Sequence, residues 1–466
     1  MAKKTEQDKL DPALVKIAFV MLLGMLAPAL DGTIVNVAIK TIVSELNSTI
    51  SVAQWITTVY ILAMGIAVPV SGWLVNRFSG KTVYMISLAV FGAGSIGAVF
   101  AWNMESLIVW RIVQGAGAGI LLPVMQTVLV RYSGGDKLPR VMAIIGIPTA
   151  IIPILGPTIG GLIVNYLPWQ WIFIINVPIC VIALWLGNIH MPSDTAVNKQ
   201  QRLDLIGLLL LSPAFCLIIF GISALRSNAG NAVQRGIILL ATGLFLLAVY
   251  CFYVLHSKKE APLDIRQFRK KNFSASIILI FLFGMLSTGT LFILPLYFQQ
   301  AYHVTAFAAG LLLAPQGIGI LGTRTLAAKW MEKTGSRPVI FAGLICTLLG
   351  TVPLSVISTE GNLLLPGIIL LIRGAGLGLV MVPGMTSVYN GLEKKDIPQG
   401  TTSMRIFQQI GGAFGTAVLA IILSHNMINT DSGNIFPAFN QVFRWSSAFT
   451  VVSFFPVLGL VEKRKS

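Results

Sequence analysis

Long apolar stretches recur along the whole chain and are separated by short polar connections. Each stretch has about 20 residues, the length at which an α-helix crosses roughly 30 Å of hydrocarbon. We place fourteen stretches, near residues 17–37, 54–75, 84–101, 106–131, 141–164, 171–188, 204–224, 236–256, 274–298, 306–326, 338–357, 362–388, 400–424 and 442–460. The pattern predicts an all-α polytopic membrane protein without a soluble domain. The first stretch lacks a following small-residue cleavage site, so we expect a retained helix rather than a signal peptide.

Composition and charge agree with a membrane protein. Hydrophobic residues make up 55% of the chain and charged residues 11%, and the mean hydropathy is +0.82. If both termini are cytoplasmic, 26 of the 33 Lys and Arg residues fall on the cytoplasmic side of the membrane, which satisfies the positive-inside rule. The net charge of +16 then reflects topology and attraction to anionic lipid, so we expect the lipid bilayer as a partner and no nucleic acid.

Signatures of enzymes and cofactor sites are missing from the sequence. All four cysteines fall within apolar stretches, which argues against a disulfide framework or a metal cluster. The four histidines are scattered, and no HExxH, GxSxG or P-loop motif occurs. We therefore expect no cofactor, no metal and no enzymatic activity. A polytopic membrane enzyme stays open as a distant alternative.

The chain repeats itself over its length. The segment from Gly72 to Val83 resembles the segment from Ala328 to Val339 at an offset of 256 residues, and 115–119 resembles 374–378 at an offset of 259. The repeat partner lies eight stretches further on, so two extra helices separate two six-helix halves. We predict an N-terminal bundle over 1–190, two additional helices over 191–260 and a C-terminal bundle over 261–466. Paired six-helix bundles are the architecture of a secondary transporter.

One carboxylate lies deep inside an apolar stretch. A charge in mid-membrane costs at least about 2.5–3.5 kcal/mol, so Asp31 is a candidate functional residue. Arg111 lies at the same depth, because each residue is about six positions from the outer end of its stretch. Burial favours a neutral carboxyl group and a nearby cation favours a charged one. We hypothesise that Asp31 is a proton and cation site with Arg111 as its partner; a static ion pair or a hydrogen-bonded tie between helices is the alternative.

Four motifs in chain order carry a family resemblance. They are Leu30-Asp-Gly-Thr-Ile-Val-Asn-Val-Ala38, Arg111-Ile-Val-Gln114-Gly115-Ala-Gly117, Gly156-Pro157-Thr-Ile-Gly160-Gly161 and Trp169-Gln-Trp171-Ile-Phe173-Ile-Ile-Asn176-Val-Pro178. Together they resemble the fourteen-helix drug:proton antiporter branch of the major facilitator superfamily. This resemblance implies proton-coupled efflux of lipophilic, cationic or zwitterionic drugs across a bacterial plasma membrane, with substrate and protons as partners.

The resemblance also suggests roles for two groups of residues. Gly156, Pro157, Gly160 and Gly161 match the antiporter motif, which implies a flexible and tightly packed fifth helix; ordinary small-residue packing is the alternative. The loop with Gly72, Asn76, Arg77 and Lys81 resembles the cytoplasmic gate loop of the superfamily, but Asn76 stands where an Asp is usual. We therefore expect a weaker cytoplasmic latch on the outward-facing state.

Substrate selectivity is less well defined by the sequence. Candidate cavity residues are Tyr60, Met64, Gln114, Gln126, Tyr297, Phe298, Gln316 and Gln408. A single buried acid suits a monocation or a zwitterion and predicts low proton stoichiometry, about one per cycle. A dedicated exporter of one metabolite or lipid-like compound is the alternative function. The natural substrate and the oligomeric state are left open.

Overall fold

The computed structural model describes residues 12–48, 50–145, 156, 159–192, 203–225, 230–257, 261, 263–304, 306–357, 363–393, 396–428 and 435–460. These residues are almost entirely helical. The helices of the N-terminal part are α1 (Pro12–Glu45), α2 (Ile50–Arg77), α3 (Gly80–Val99), α4 (Met104–Ile145), α5 (described over 159–166) and α6 (Trp171–Ile174 followed by Asn176–His190).

The remaining helices continue the same order. They are α7 (Leu205–Ala224), α8 (Gly230–His256), α9 (Lys271–Gly284, a π-helical turn at Met285–Gly289, then Thr290–Ala301), α10 (Ala306–Leu312 and Ala314–Thr334), α11 (Ser336–Leu349), α12 (Leu364–Tyr389), α13 (Ile397–Ile428) and α14 (Phe436–Val452 and Phe454–Leu458). Short 3₁₀ helices at Ile265–Arg269 and Pro353–Ser355 complete the described secondary structure.

Eleven of the described helices are long and apolar enough to cross a membrane. The other three predicted stretches correspond to α5, α10 and α14. Helix α5 is described only in part, α10 carries charged residues such as Arg324 and Lys329, and α14 is interrupted at Ser453. The predicted all-α membrane fold is confirmed.

Helix α4 departs from the expected boundaries. The hydropathy pattern placed a connection between residues 131 and 141, whereas the structure has one helix from Met104 to Ile145. Hydropathy marks the part of a helix that lies in hydrocarbon, and a polar helix can continue into water beyond it. The predicted connection is therefore a polar extension of the helix.

The chain divides into two compact units, one of residues 1–203 with 393–402 and one of residues 204–392 with 403–466. In the first unit, α1, α2, α4 and α6 bury a common core that includes Ile34, Ile56, Leu107 and Phe173. This core encloses the Asp31 region of α1. The division into 1–190, 191–260 and 261–466 stays a prediction.

In the second unit, an aromatic cluster fills the space between α9 and α14. Tyr297 is fully buried and its ring lies 5.2 Å from Phe443 and 5.3 Å from Phe439, centroid to centroid. Helices α7 and α8, predicted as an additional pair, pack against each other through glycine, because a Cβ on Gly221 would lie 2.6 Å from the backbone nitrogen of Leu240. Residues of α7 and α13 share a small apolar core, so this helix pair is part of the second unit.

The internal repeat is confirmed by close backbone contacts. A Cβ on Gly115 of α4 would lie 2.4 Å from the carbonyl oxygen of Tyr60, and a Cβ on Gly374 of α12 would lie 2.1 Å from that of Gln316. The two partners are 256 residues apart, which is the offset read from the sequence. The same correspondence holds for Gly119–Met64 with Gly378–Ile320, for Gly117–Ser87 with Gly376–Gly343 and for Gly94–Gln114 with Gly350–Arg373. Both units therefore use glycine in the same places to bring helices together.

Candidate functional site

Asp31 and Arg111 meet inside the first unit. Arg111 Nη1 donates to Asp31 Oδ2, and the Arg111 and Asp31 side chains are 1% and 0% exposed. Asp31 comes from α1, three residues after Pro28, and Arg111 comes from the second turn of α4. The two side chains form an ion pair that is shielded from water. The two residues that the sequence placed at equal depth are thus direct partners.

A backbone carbonyl oxygen and two aromatic rings also contact the guanidinium of Arg111. Its Nε donates to the Ile56 carbonyl oxygen of α2 at 3.2 Å, and its central carbon lies 4.1 Å from the centroid of the Tyr60 ring. The Phe173 ring of α6 lies 5.8 Å away. An aromatic face attracts a cation, and the attraction is stronger where water is excluded. Arg111 therefore connects α1, α2, α4 and α6.

Amide and hydroxyl groups extend the ion pair into a network. Arg111 Nη1 also donates to Gln114 Oε1 at 2.9 Å, and Gln114 Nε2 donates to Ser95 Oγ of α3 at 2.7 Å. On the opposite side, Asn176 Nδ2 of α6 donates to Asp31 Oδ1 at 3.2 Å. The carboxylate thus accepts a hydrogen bond on each oxygen.

This arrangement places one buried carboxyl group against one buried guanidinium. A buried charge is tolerated when an opposite charge and hydrogen bonds compensate the loss of hydration. Removing either charge of such a pair leaves the other uncompensated, which is strongly unfavourable. Among the described residues, no group of three His, Cys, Asp or Glu side chains is placed to hold a metal ion.

The gate-loop residues lie at the junction of α2 and α3. Arg131 Nη2 of α4 donates to Asn76 Oδ1 at 2.7 Å, and its Nη1 donates to the Val75 carbonyl oxygen at 3.1 Å. Lys81 Nζ donates to the Asn188 carbonyl oxygen of α6 at 2.8 Å, where the helix end attracts a cation.

The other two gate-loop residues, Arg77 and Gly72, contact an aromatic ring and a hydroxyl group. The Arg77 guanidinium carbon is 6.0 Å from the Phe78 ring centroid. A Cβ on Gly72 would lie 3.3 Å from Thr402 Oγ1. At the same junction, the Asn76 side chain is a neutral hydrogen-bond acceptor for Arg131.

The antiporter-motif glycines differ in their surroundings. A Cβ on Gly156 would lie 1.9 Å from Thr33 Oγ1 of α1, two residues after Asp31. Gly160 is buried, and a Cβ on Gly161 would meet no atom within 4 Å. Pro157 lies outside the described residues. Among these described glycines, Gly156 is the one whose contact with a neighbouring helix is shown, and that contact lies beside the ion pair.

The candidate cavity residues are distributed over both units. Tyr60 and Gln114 contact Arg111, and Gln126 is buried in α4. Met64 is half-buried and its carbonyl oxygen faces Gly119. In the second unit, Tyr297 and Phe298 lie in the aromatic cluster, Gln316 accepts from Arg373 at 3.0 Å and Gln408 accepts from Arg405 at 3.2 Å. Their role in lining a cavity stays a prediction.

Sequence reasoning did not assign roles to Asn176, Ser95 or Arg131. Asn176 belongs to the sixth-helix signature, so the motif contained a signal for it. Ser95 had no such signal, because a serine in an apolar helix usually bonds to its own backbone. Arg131 lies at the end of the apolar part of α4, where snorkelling to the interface is the ordinary expectation.

The Major Facilitator Superfamily matches this chain over residues 21–416, and the chain belongs to that superfamily. It is similar in fold to the human organic anion transporter MFSD10 (TETRAN), with a TM-score of 0.68, 14% identity and coverage of 96% of this chain and 100% of the other. The proton:xylose symporter XylE gives a TM-score of 0.61 at 12% identity, with 96% of each chain covered. These likenesses establish the fold.

Two relatives are similar in sequence over nearly the whole chain. A multidrug resistance protein B homolog of Mycobacterium tuberculosis is 32% identical over 92% of this chain and 80% of its own length. The lincomycin resistance protein LmrB of Bacillus subtilis is 30% identical over 94% of this chain and 91% of its own. Family and fold together define a multi-pass membrane transporter rather than an enzyme.

Proposed function

We propose that this protein is a proton-coupled exporter of lipophilic, cationic or zwitterionic drugs in a bacterial plasma membrane, with both termini in the cytoplasm. The observation that carries the proposal is the buried Asp31–Arg111 pair with its amide network. The relatives named for multidrug and lincomycin resistance support drugs as the substrate class. The distribution of Lys and Arg supports the orientation.

In the proposed cycle, Asp31 binds either a proton or the positive charge of a substrate, and not both. A proton arriving from the outside neutralises Asp31, so that Arg111 is held by Gln114 Oε1, the Ile56 carbonyl and the Tyr60 ring. The approach of a cation favours the charged carboxylate and releases the proton towards the cytoplasm. This competition at one carboxyl group couples the two fluxes.

The test measures proton release from proteoliposomes that carry a pH gradient, on addition of ethidium or norfloxacin. We expect release by the wild type and none by Asp31→Asn, because the amide does not titrate. Since Asp31→Asn leaves Arg111 buried and uncompensated, the double variant Asp31→Asn/Arg111→Gln is included as a neutral control, and its folding is checked by thermal unfolding. Unchanged antiport in a folded neutral variant would reject Asp31 as the proton site. Absence of release by the wild type itself would favour a dedicated exporter with another substrate.

A further inference from the structure

The amide of Asn176 uses only one of its two polar atoms. Its Nδ2 donates to Asp31 Oδ1 at 3.2 Å, whereas its Oδ1 is buried and has no hydrogen-bond partner among the described residues. The side chain as a whole is 0% exposed. A buried hydrogen-bond acceptor without a donor costs free energy. Here the acceptor Oδ1 belongs to the same planar amide group whose nitrogen donates to the Asp31 carboxylate.

The protonated form of Asp31 needs a hydrogen-bond acceptor, and the other members of the described network are already engaged. A carboxylic acid has one O–H to donate, and the guanidinium of Arg111 has donors only. Gln114 is the other amide in the network, but both its polar atoms are engaged, by Arg111 and Ser95. The other titratable groups that face Asp31 are the Tyr60 hydroxyl, which donates to the Pro28 carbonyl at 3.2 Å, and Cys180 on α6.

We propose that Asn176 is a positioning residue that responds to the protonation state of Asp31 by a half-turn of its amide. With Asp31 charged, Nδ2 donates to the carboxylate, as the structure shows. When a proton binds and an O–H bond forms on Asp31, the rotated amide presents Oδ1 as the acceptor.

The half-turn gives both protonation states of Asp31 a satisfied partner on α6. Without it, one of the two states leaves a buried donor or acceptor unpaired, and the exchange of protons slows. The inference rests on the proposed proton-carrying role of Asp31. It adds a specific partner on α6 that distinguishes the charged from the neutral carboxyl group.

Infrared difference spectroscopy of the full-length protein in lipid, between high and low pH, tests this directly. The carboxyl band of Asp31 is identified by its absence in Asp31→Asn/Arg111→Gln. In wild-type protein with ¹³C-labelled asparagine amides, we expect one amide band that changes together with the Asp31 band and disappears in Asn176→Leu. In Asn176→Leu the carboxyl band should shift, because the protonated acid has lost its acceptor.

A matched control exists in the second unit. Asn440 of α14 is also buried and its Oδ1 also has no partner among the described residues, but it does not touch Asp31. Asn440→Leu should leave both bands unchanged and drug-driven proton release near that of the wild type. Asn176→Leu should lower proton release roughly tenfold or more, the size expected for a lost hydrogen bond to a charged group.

The outcomes separate this inference from the proposed function. If Asp31 titrates but no asparagine band changes with it, the amide half-turn is overturned and the proton site stands. If no Asp31 band is found at any pH, the proton site fails and the half-turn fails with it. Because the labelled wild type carries the main readout, misfolding of Asn176→Leu does not decide the result.

Discussion

The ring of Tyr60 covers one face of the Arg111 guanidinium at 4.1 Å, while its hydroxyl donates to the Pro28 carbonyl oxygen at 3.2 Å. The cation–π contact depends on the aromatic ring and the hydrogen bond depends on the hydroxyl, so substitutions can separate them. The ring contact involves the residue that neutralises Asp31. We therefore expect it to affect transport more than the hydroxyl does.

Tyr60→Phe should transport nearly normally and lose about 1 kcal/mol of stability, the contribution of one hydrogen bond. Tyr60→Leu should lose a further 0.5–2 kcal/mol, roughly the value of a buried cation–π contact, and should transport poorly. The measurements are thermal unfolding in detergent and drug-driven proton release. Equal transport by the two variants would show that the aromatic ring does not support Arg111.

At the junction of α2 and α3, the charged guanidinium of Arg131 donates a hydrogen bond to the neutral amide of Asn76. Asn76→Asp would make this bond charge-assisted and roughly twice as strong. Because the loop resembles a cytoplasmic latch, we expect Asn76→Asp to increase the outward-facing population, measured by cysteine accessibility labelling. Arg131→Gln should cancel the increase in a double variant. An equal shift with and without Arg131 would exclude this contact as its cause.

At the scale of helices, glycine determines how closely α4 and α12 approach their neighbours. Gly115→Ala and Gly374→Ala would each place a methyl group within 2.5 Å of a backbone carbonyl, and a backbone atom cannot move aside as a side-chain end can. We expect each variant to lose about 1–3 kcal/mol, the usual cost of overpacking, seen as a lower unfolding temperature. Gly161→Ala is the control, since its added methyl group meets no atom within 4 Å. A similar unfolding temperature for all three variants would contradict the inferred close approach.

Much of this architecture could be predicted because hydropathy and glycine spacing report directly on burial and helix contact. The offset of 256 residues came from a short repeated segment, and the contacts of Tyr60 and Gln316 reproduce it. The pairing of Asp31 with Arg111 followed from equal depth in two helices. The continuation of α4 as a helix as far as Ile145 was missed because polar helical turns carry no hydropathy signal.

The partners of the ion pair were harder to predict than the pair itself. Which amide turns towards Asp31 depends on the rotation of α6 about its own axis, and a sequence with apolar residues on every face does not define that rotation. Tyr60 was a candidate cavity residue because its helix lines the cavity in the superfamily that the sequence resembles. Its position over Arg111 depends on the register of α2 against α4, which the backbone contact at Gly115 fixes.

Over the whole molecule, the two units differ in charge at corresponding positions. Gln114 of the first unit corresponds to Arg373 of the second, which is 0% exposed and donates to Gln316, Thr351 and the Leu286 carbonyl oxygen. Among the described residues of the second unit, the acids lie at or beside helix ends, as Asp204, Asp264 and Glu332. Asp31 is therefore the one deep carboxylate in the described spans, and we expect one proton to be exchanged per cycle.

One proton exchanged for one monovalent cation moves no net charge across the membrane. Ethidium export should therefore follow the pH gradient and be insensitive to membrane potential. Export of net-neutral norfloxacin should respond to potential, by about 2.3 kcal/mol per 100 mV for the single proton charge. The measurement uses proteoliposomes in which potassium and valinomycin set the potential independently of pH, with Asp31→Asn/Arg111→Gln as the inactive control. Ethidium accumulation driven by potential alone would require a second proton, and hence a titrating group besides Asp31.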